Sequence, residues 1–380
     1  MKIKATRTIG IFVALALVLT FICPTVGAAA ETKFPRITIG WTPPDITGVF
    51  KTATDFFEKG AADARKYGLD VTIVSQAPEA HTMFAKQVAI IEDFIQRGVD
   101  AIAISPIEVE VVKPAIKKAN EAGIPVIIVN LLKPIEGVEV ASYIGFDNYD
   151  AGVISGYTMV DYLGGPGVVG KGEKVKVEPG TYLDKKWWQD LYSNYNPKKL
   201  NVKGNVCIIE GIAGGFFSTL RLRGFHSVID NFPGIKVLST QPADWNRQKA
   251  VKITEDFLQG YPKGQIDAIW AASNEMGLGA MYTCENHNRT EVAVLTNDGT
   301  PESVQRIREG RLITETWHGF PEWGWYGTEF AVCKALGLEV PQIFDIRPRT
   351  EYIDNVDEFY PKPKLASIPW DLIKANAKSK

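Results

Sequence analysis

The sequence predicts a two-lobed α/β protein in which each lobe is a doubly wound parallel sheet covered by helices on both faces. Three observations carry this. Short runs rich in β-branched residues alternate with longer amphipathic stretches, several of those runs are apolar at every position, and the alternation breaks near residue 164 and restarts at 205. Strands apolar on both faces belong to parallel sheets buried on both sides by crossover helices.

In chain order, the first strand is read at 36–41 (RITIGW), followed by a helix at 52–66 with Phe56, Phe57 and Ala64 on its buried side. A strand at 71–74 and a helix at 82–96 come next. The first series closes with the strand at 101–104 (AIAI), a helix at 108–121 stopped by Gly123, and the continuous apolar strand at 125–129 (PVIIV). The second series has strands at 206–209, 235–238, 268–271 and 292–295, alternating with helices at 219–230, 247–259, 275–286 and 301–309. Two such units in succession imply two lobes with a cleft between them. Ligands of open α/β sheets sit beyond the carboxyl ends of the strands, so the loops there are where function is sought.

Two segments stand outside this rhythm. Residues 164–204 carry Gly-Gly-Pro-Gly, charged residues and then the aromatic run 187–192 (WWQDLY); a packed excursion is the leading reading, with a partner or ligand-gating surface second and disorder third. Residues 361–380, with Pro361, Pro363, Pro369 and a lysine-rich end, read as a strap over the surface.

At the N-terminus, Lys2, Lys4 and Arg7 precede an apolar run at 9–22 and small residues ending in Ala28-Ala29-Ala30. This is the pattern of a secretory signal peptide, expected to be cleaved near Ala30, and its apolar run of about 14 residues is short of the roughly 20 that span a membrane. The mature chain is therefore expected outside the cytoplasm, in the periplasm or its equivalent. Without residues 1–30 it carries 39 Lys+Arg against 44 Asp+Glu and no basic block, a poor partner for nucleic acid. Its three cysteines, Cys207, Cys284 and Cys333, have no CxxC spacing and give neither a disulfide framework nor a zinc site; one bridge among them stays open.

The glycine-rich stretch at 211–225 (GIAGGFFSTLRLRGF) follows an apolar strand and raises three chemistries. It has no Lys to reach nucleotide phosphates, and Ser218 is not flanked by glycines as in a hydrolase elbow. The first strand runs into Trp41-Thr42-Pro43-Pro44 instead of a dinucleotide fingerprint, and His81, His226, His287 and His318 show no metal spacing. The reading is a binding protein, not an enzyme, with no cofactor and no metal.

What remains at the strand ends is a set of planar polar groups and aromatics: Asn130, Arg221, Trp245, Asn274, Asp298 and Trp317-His318. Amide, guanidinium and carboxylate groups each bridge neighbouring hydroxyls, and flat aromatic faces stack on the C–H side of a sugar. Asn274 and Asp298 also suit helix caps. Phe216 and Phe217 are left open between cleft wall and core, and Arg223 is read as facing structure or solvent.

The chain resembles the periplasmic sugar-binding proteins of the ribose-binding type, which feed ABC transporters. The likeness runs over roughly 35–353. It rests on the segments 119–126 (ANEAGIPV), 144–148 (IGFDN), 211–214 (GIAG), 221–225 (RLRGF), 241–245 (QPADW), 274–276 (NEM) and 298–301 (DGTP). The resemblance implies the type I periplasmic binding fold: two lobes joined by a three-strand hinge, crossed near 145–148, 317–319 and 344–347. It divides the chain into an N-terminal lobe (31–146 and 319–345), a C-terminal lobe (147–318 and 346–360, with the insertion at 164–204) and a tail (361–380). It places Arg221, Asn274 and Asp298 as polar ligand contacts and Trp245 as a stacking aromatic, with His318 where the ribose-binding type has Gln. Two departures bear on the ligand. An Asp-Arg pair of the ribose-binding type is replaced by Asn130-Leu131, and the first loop, 42–54 (TPPDITGVFKTAT), lacks Asn-Pro-Phe-Phe, leaving Asp45, Phe50 and Lys51 as candidates. The expectation is a monomeric receptor that closes on a small carbohydrate or polyol and delivers it to an ABC import permease. The alternative is a sensory receptor of the same fold for a sugar or furanosyl signal, coupled to a membrane kinase or chemoreceptor.

Overall fold

In the computed structural model, which describes residues 34–378 except 171 and 173, the short apolar runs assemble into two six-stranded sheets. The expected signal peptide lies outside the described residues. The first sheet contains β1 (Ile37–Thr42), β2 (Val71–Ser75), β3 (Ala101–Ile104), β4 (Val126–Val129), β5 (Ser142–Gly145) and β11 (Ile343–Asp345). Their order is β11-β5-β4-β3-β1-β2, all parallel. The second contains β6 (Gly204–Glu210), β7 (Ile235–Pro242), β8 (Ala268–Ala271), β9 (Ala293–Asp298), β10 (Thr314–Trp317) and β12 (Arg349–Tyr352). Their order is β12-β10-β9-β8-β6-β7, parallel except for the antiparallel β12. Each sheet winds one way and then the other, reversing between β1 and β3 and between β6 and β8. At such switch points adjacent loops diverge and leave a crevice at the carboxyl ends of the strands.

The helices in chain order are α1 (Gly48–Lys66), α2 (Phe84–Arg97), α3 (Val109–Glu121), α4 (Asn148–Tyr162), α5 (Lys185–Tyr192), α6 (Phe216–Ile229), α7 (Arg247–Gly260), α8 (Asn274–Asn286), α9 (Pro301–Arg308), α10 (Phe320–Ala335) and α11 (Trp370–Lys378). β3, β4 and β8 are buried at every position, as their uninterrupted apolar sequences require. Helix α6 is fixed to the second sheet by Phe225, whose ring stacks on Trp270 of β8 at 4.1 Å between centroids. The chain passes between the sheets at 146–147, 318–319 and 346–348, giving the type I periplasmic binding fold.

Boundaries shift where the sequence is ambiguous. α1 starts at Gly48 and α6 at Phe216, earlier than read, because a glycine or aromatic first turn carries little helical signal. β9 runs on to Asp298, so that residue closes a strand. The excursion at 164–204 packs on the body of the protein: Trp188 is fully buried and its indole N–H donates to Thr350 Oγ1 at 2.8 Å. The tail is not an open strap throughout. It ends in α11, with Trp370 fully buried and its Nε1 donating to Asp63 of α1 at 2.9 Å. Cys207, Cys284 and Cys333 are unbridged, and burial pushes all three thiols up to about 12. Among the described residues no helix is long and apolar enough to cross a membrane, and no group of three or more His, Cys, Asp or Glu is arranged to hold a metal ion.

Candidate functional site

Loops at the carboxyl ends of strands from both sheets surround one cavity, about 570 Å³ with its mouth included. The first lobe contributes Asp45, Phe50, His81, Asn130 and Phe320, the second Phe217, Arg221, Trp245, Ser273, Glu275 and Asp298. The lobes meet around it: Phe217 of α6 belongs to the same buried apolar cluster as Ile104 and Leu131 of the first lobe.

Arg221 is the centre of the polar floor. α6 carries it into the cavity wall, where it is 4% exposed. Its Nε donates to Asn148 Oδ1 at 2.9 Å, and its Nη1 donates to the Ala272 carbonyl at 2.7 Å and to Asp298 Oδ1 at 3.2 Å. Asp298 Oδ2 accepts from the Asn274 backbone amide at 3.0 Å, so one carboxylate both starts α8 and orients the guanidinium. The face of Trp245 lies 5.2 Å from the guanidinium carbon. The indole is seated against Gly211, where any Cβ would collide with the ring. That close approach requires glycine at 211.

Burial alone would raise the Asp298 carboxyl, but the Arg221 charge, His318 and the Asn274 amide outweigh it and hold it below the usual range. Burial and the Arg221 charge push His318 down to about 4, against the pull of Asp298. On the opposite wall Asp45 accepts from Thr47 N at 3.0 Å and sits 2.8 Å from His81 Nε2. Burial acts to raise Asp45 as well, and the His81 contact, with the Thr47 amide, lowers it overall.

Backbone strain collects here. Of the six described non-glycine residues with positive φ, three line the cavity: Asn130 (68°), Trp245 (61°) and Asp298 (100°). Such conformations cost about 1–3 kcal/mol each and persist where the surroundings over-determine them, commonly at functional sites.

The structure thus brings Asp45, Phe50, Asn130, Arg221, Trp245 and Asp298 together around the cavity. Three other candidates are placed differently. Asn274, in the first turn of α8, is turned back into the protein, where its Nδ2 donates to Thr300 Oγ1 at 2.8 Å; Ser273 and Glu275 on either side of it line the cavity instead. Trp317 packs on Phe359 and Tyr360, at 4.8 and 5.4 Å between ring centroids, in the core of the second lobe. His318 is fully buried, stacked on Phe146 at 4.0 Å with Nδ1 2.9 Å from Asp298 Oδ1, so it supports Asp298 from outside the lining. Phe217, left open in the sequence, and Phe320 are aromatic walls. His81, Ser273 and Glu275 were missed. Ser273 had a signal in its place just after a strand, whereas His81 is set in the lining by Asp45 and by the ring of Phe50, contacts that sequence does not announce.

Comparison with known proteins agrees with this architecture. Residues 39–337 match the model of the periplasmic binding protein domain. The ribose import binding protein of Bacillus subtilis (strain 168) is 28% identical over 250 residues, covering 66% of this chain and 66% of its own length. The xylitol-binding protein of Mycolicibacterium smegmatis is 26% identical over 234 residues, 62% of this chain and 56% of its own length. The matches therefore span two thirds or less of these two relatives. An ABC transporter periplasmic solute binding protein from Actinobacillus succinogenes 130z, solved with bound D-allose, has the same fold, with a TM-score of 0.68 at 22% identity over 85% of this chain and 100% of that one. These relatives are binding proteins, not enzymes. With the family match running through both sheets and the cavity between them, the chain belongs to the periplasmic binding protein family.

Proposed function

We propose that the protein captures a small, neutral carbohydrate or polyol between its lobes and delivers it to an ABC import permease. The observation that carries this reading is the Arg221–Asp298 pair, held rigid at the floor of a cavity walled by Phe50, Phe217, Trp245 and Phe320. A preoriented fork of N–H donors beside a carboxylate suits vicinal hydroxyls, and aromatic faces suit the apolar side of a sugar. A neutral ligand is favoured because the one arginine of the described lining is already engaged: Arg221 is paired with Asp298, and Glu275 is held by Arg247 at 2.8 and 3.0 Å, so no free cation is offered to an acidic ligand. Names of relatives add ribose and xylitol, and a structural neighbour adds allose, to the classes worth testing. Asn130-Leu131, in place of an Asp-Arg pair, weighs against ribose itself and toward another pentose, a sugar alcohol or a hexose. The protein is exported by a leader cleaved near Ala30 and works as a monomer.

The test is a thermal-shift screen of pentoses, hexoses, polyols, uronates and furanosyl signals. A ligand that binds only the folded state raises Tm by mass action, by about 2.7 kcal/mol of stabilisation at a hundredfold excess over Kd. The expected result is a shift with a neutral sugar or polyol and none with the matching uronate. A panel without any carbohydrate or polyol shift would refute the reading. Loss of uptake of the shifting ligand in cells lacking the protein separates transport from sensing.

A further inference from the structure

We propose that the cavity on the Arg221–Asp298 floor is the inner half of a two-part site, and that the ligand is a disaccharide whose second ring occupies an outer chamber between residues 79–82 and 244–249. This names the ligand class of the site described above and rests on the capture reading. The outer chamber measures about 850 Å³ with its mouth included. Both lobes build it: Glu79, His81 and Thr82 come from the loop between β2 and α2, and Asp244, Trp245 and Gln248 from the turn into α7. It is continuous with the inner cavity, because Asp45, Thr47, His81, Trp245 and Glu275 line both.

The chamber is not a gap left by lobes standing apart. Phe216 N of α6 donates to Glu108 Oε2 across the cleft at 3.2 Å. Elsewhere Glu275 packs so closely on Gly48 that a Cβ there would be 2.5 Å from its Oε1. With these contacts made, the side between 79–82 and 244–249 stays open. Small-molecule sites bury most of their ligand's surface. A single ring on the floor would be left uncovered on this side, and a second ring covers it.

The walls select a hydroxylated second unit over an apolar or an acidic one. The basic groups of the chamber are engaged, Lys249 with Asp244, Arg247 with Glu275 and Glu302, and His81 with Asp45. The side chains of Glu79, Thr82 and Gln248 are exposed and engage no other group among the described residues. They offer a carboxylate, a hydroxyl and an amide to sugar hydroxyls. An apolar group would strip water from them without replacing its hydrogen bonds. Backbone strain extends outward as well. Asp244 (φ 51°) and Trp245 (φ 61°) are successive left-handed residues, which hold the turn at the junction of the two chambers in a costly conformation.

The experiment is calorimetric titration of the purified protein with D-glucose, D-galactose and D-xylose, and with cellobiose, maltose, lactose, melibiose and xylobiose, which are built from them. At least one disaccharide is expected to bind about tenfold or more tightly than either of its component sugars, the return from two or three added hydrogen bonds. Glu79→Ala and Gln248→Ala each remove an exposed side chain and leave the fold intact. Each is expected to weaken that disaccharide by roughly 2- to 10-fold, for one lost hydrogen bond, while the component sugars keep their affinities. A monosaccharide bound more tightly than every disaccharide would overturn this proposal and leave the capture reading standing. Unchanged disaccharide affinity in both variants, or equal losses for both sizes of ligand, would overturn it too. If no sugar of either size binds, here or in the thermal-shift screen, the capture reading fails and this proposal with it.

Discussion

At the scale of single residues, the account turns on a buried charge pair. Arg221 and Asp298 are each about 5% exposed, and removing one partner from such a pair typically costs about 3–5 kcal/mol because the other charge is left uncompensated. Arg221→Ala is therefore expected to lower unfolding free energy in urea by that amount and to abolish the ligand-induced Tm shift. Trp245→Ala keeps the pair and is expected to weaken binding by roughly tenfold with a smaller loss of stability, consistent with a lost stacking face. A normal ligand shift in Arg221→Ala would mean that the binding floor lies elsewhere. Strand ends made Trp245 and Asp298 legible, since a residue at or just past a strand end must face the crevice or the following helix, whereas Arg221 lies within α6 and its role was implied by the family resemblance. The directions of Asn274, Trp317 and His318 were not legible. They depend on how α8 starts and on which face of β10 each side chain takes, and these are tertiary facts.

At the scale of elements, the uniformly apolar strands were readable and the polar ones were not. β5 (SYIG), β10 (TETW) and β12 (RTEY) are short, and propensity alone does not separate them from loops. Their register creates an unusual feature, since Glu315 of β10 is the direct antiparallel partner of Glu351 of β12. Both are fully buried, and none of their four oxygens meets hydrogen-bonding geometry. Burial pushes both carboxyls well above their usual range, and the Glu315 charge raises Glu351 further. The sign follows from linkage. Below about pH 4.5 Glu315 is protonated in both states; above it the unfolded chain releases the proton that the folded protein keeps, so stability falls as pH rises. Glu315→Gln removes this dependence, and its stability relative to wild type should increase from about pH 4 to about pH 8 in urea titrations. A constant or falling difference would show that Glu315 is ionised in the folded state.

At the scale of the whole molecule, the repeat of the strand–helix series announced two lobes, whereas the crossings became visible only through the family resemblance. The tail was read as a surface strap without its anchors, which three prolines and a lysine-rich end hide. Ile368, Trp370 and Ile373 are buried, and Lys374 Nζ donates to the Tyr67 carbonyl at 2.7 Å, so a segment leaving the second lobe ends on the first. Trp370→Ala removes a fully buried indole and is expected to cost about 3–5 kcal/mol. Because Trp370 is remote from the cavity lining, the set of ligands that shift Tm should be unchanged; an altered ligand set would give the tail a part in recognition.

The central claim is that a small neutral polyol lies between the lobes on the Arg221–Asp298 floor. The crystal structure of the complex with the ligand giving the largest thermal shift tests it most directly. The account predicts density for the ligand in the cavity, with its hydroxyls within hydrogen-bonding distance of Arg221 and Asp298 and an apolar face against Trp245 or Phe217. Ligand bound outside this cavity, or within it but away from both charged groups, would contradict it.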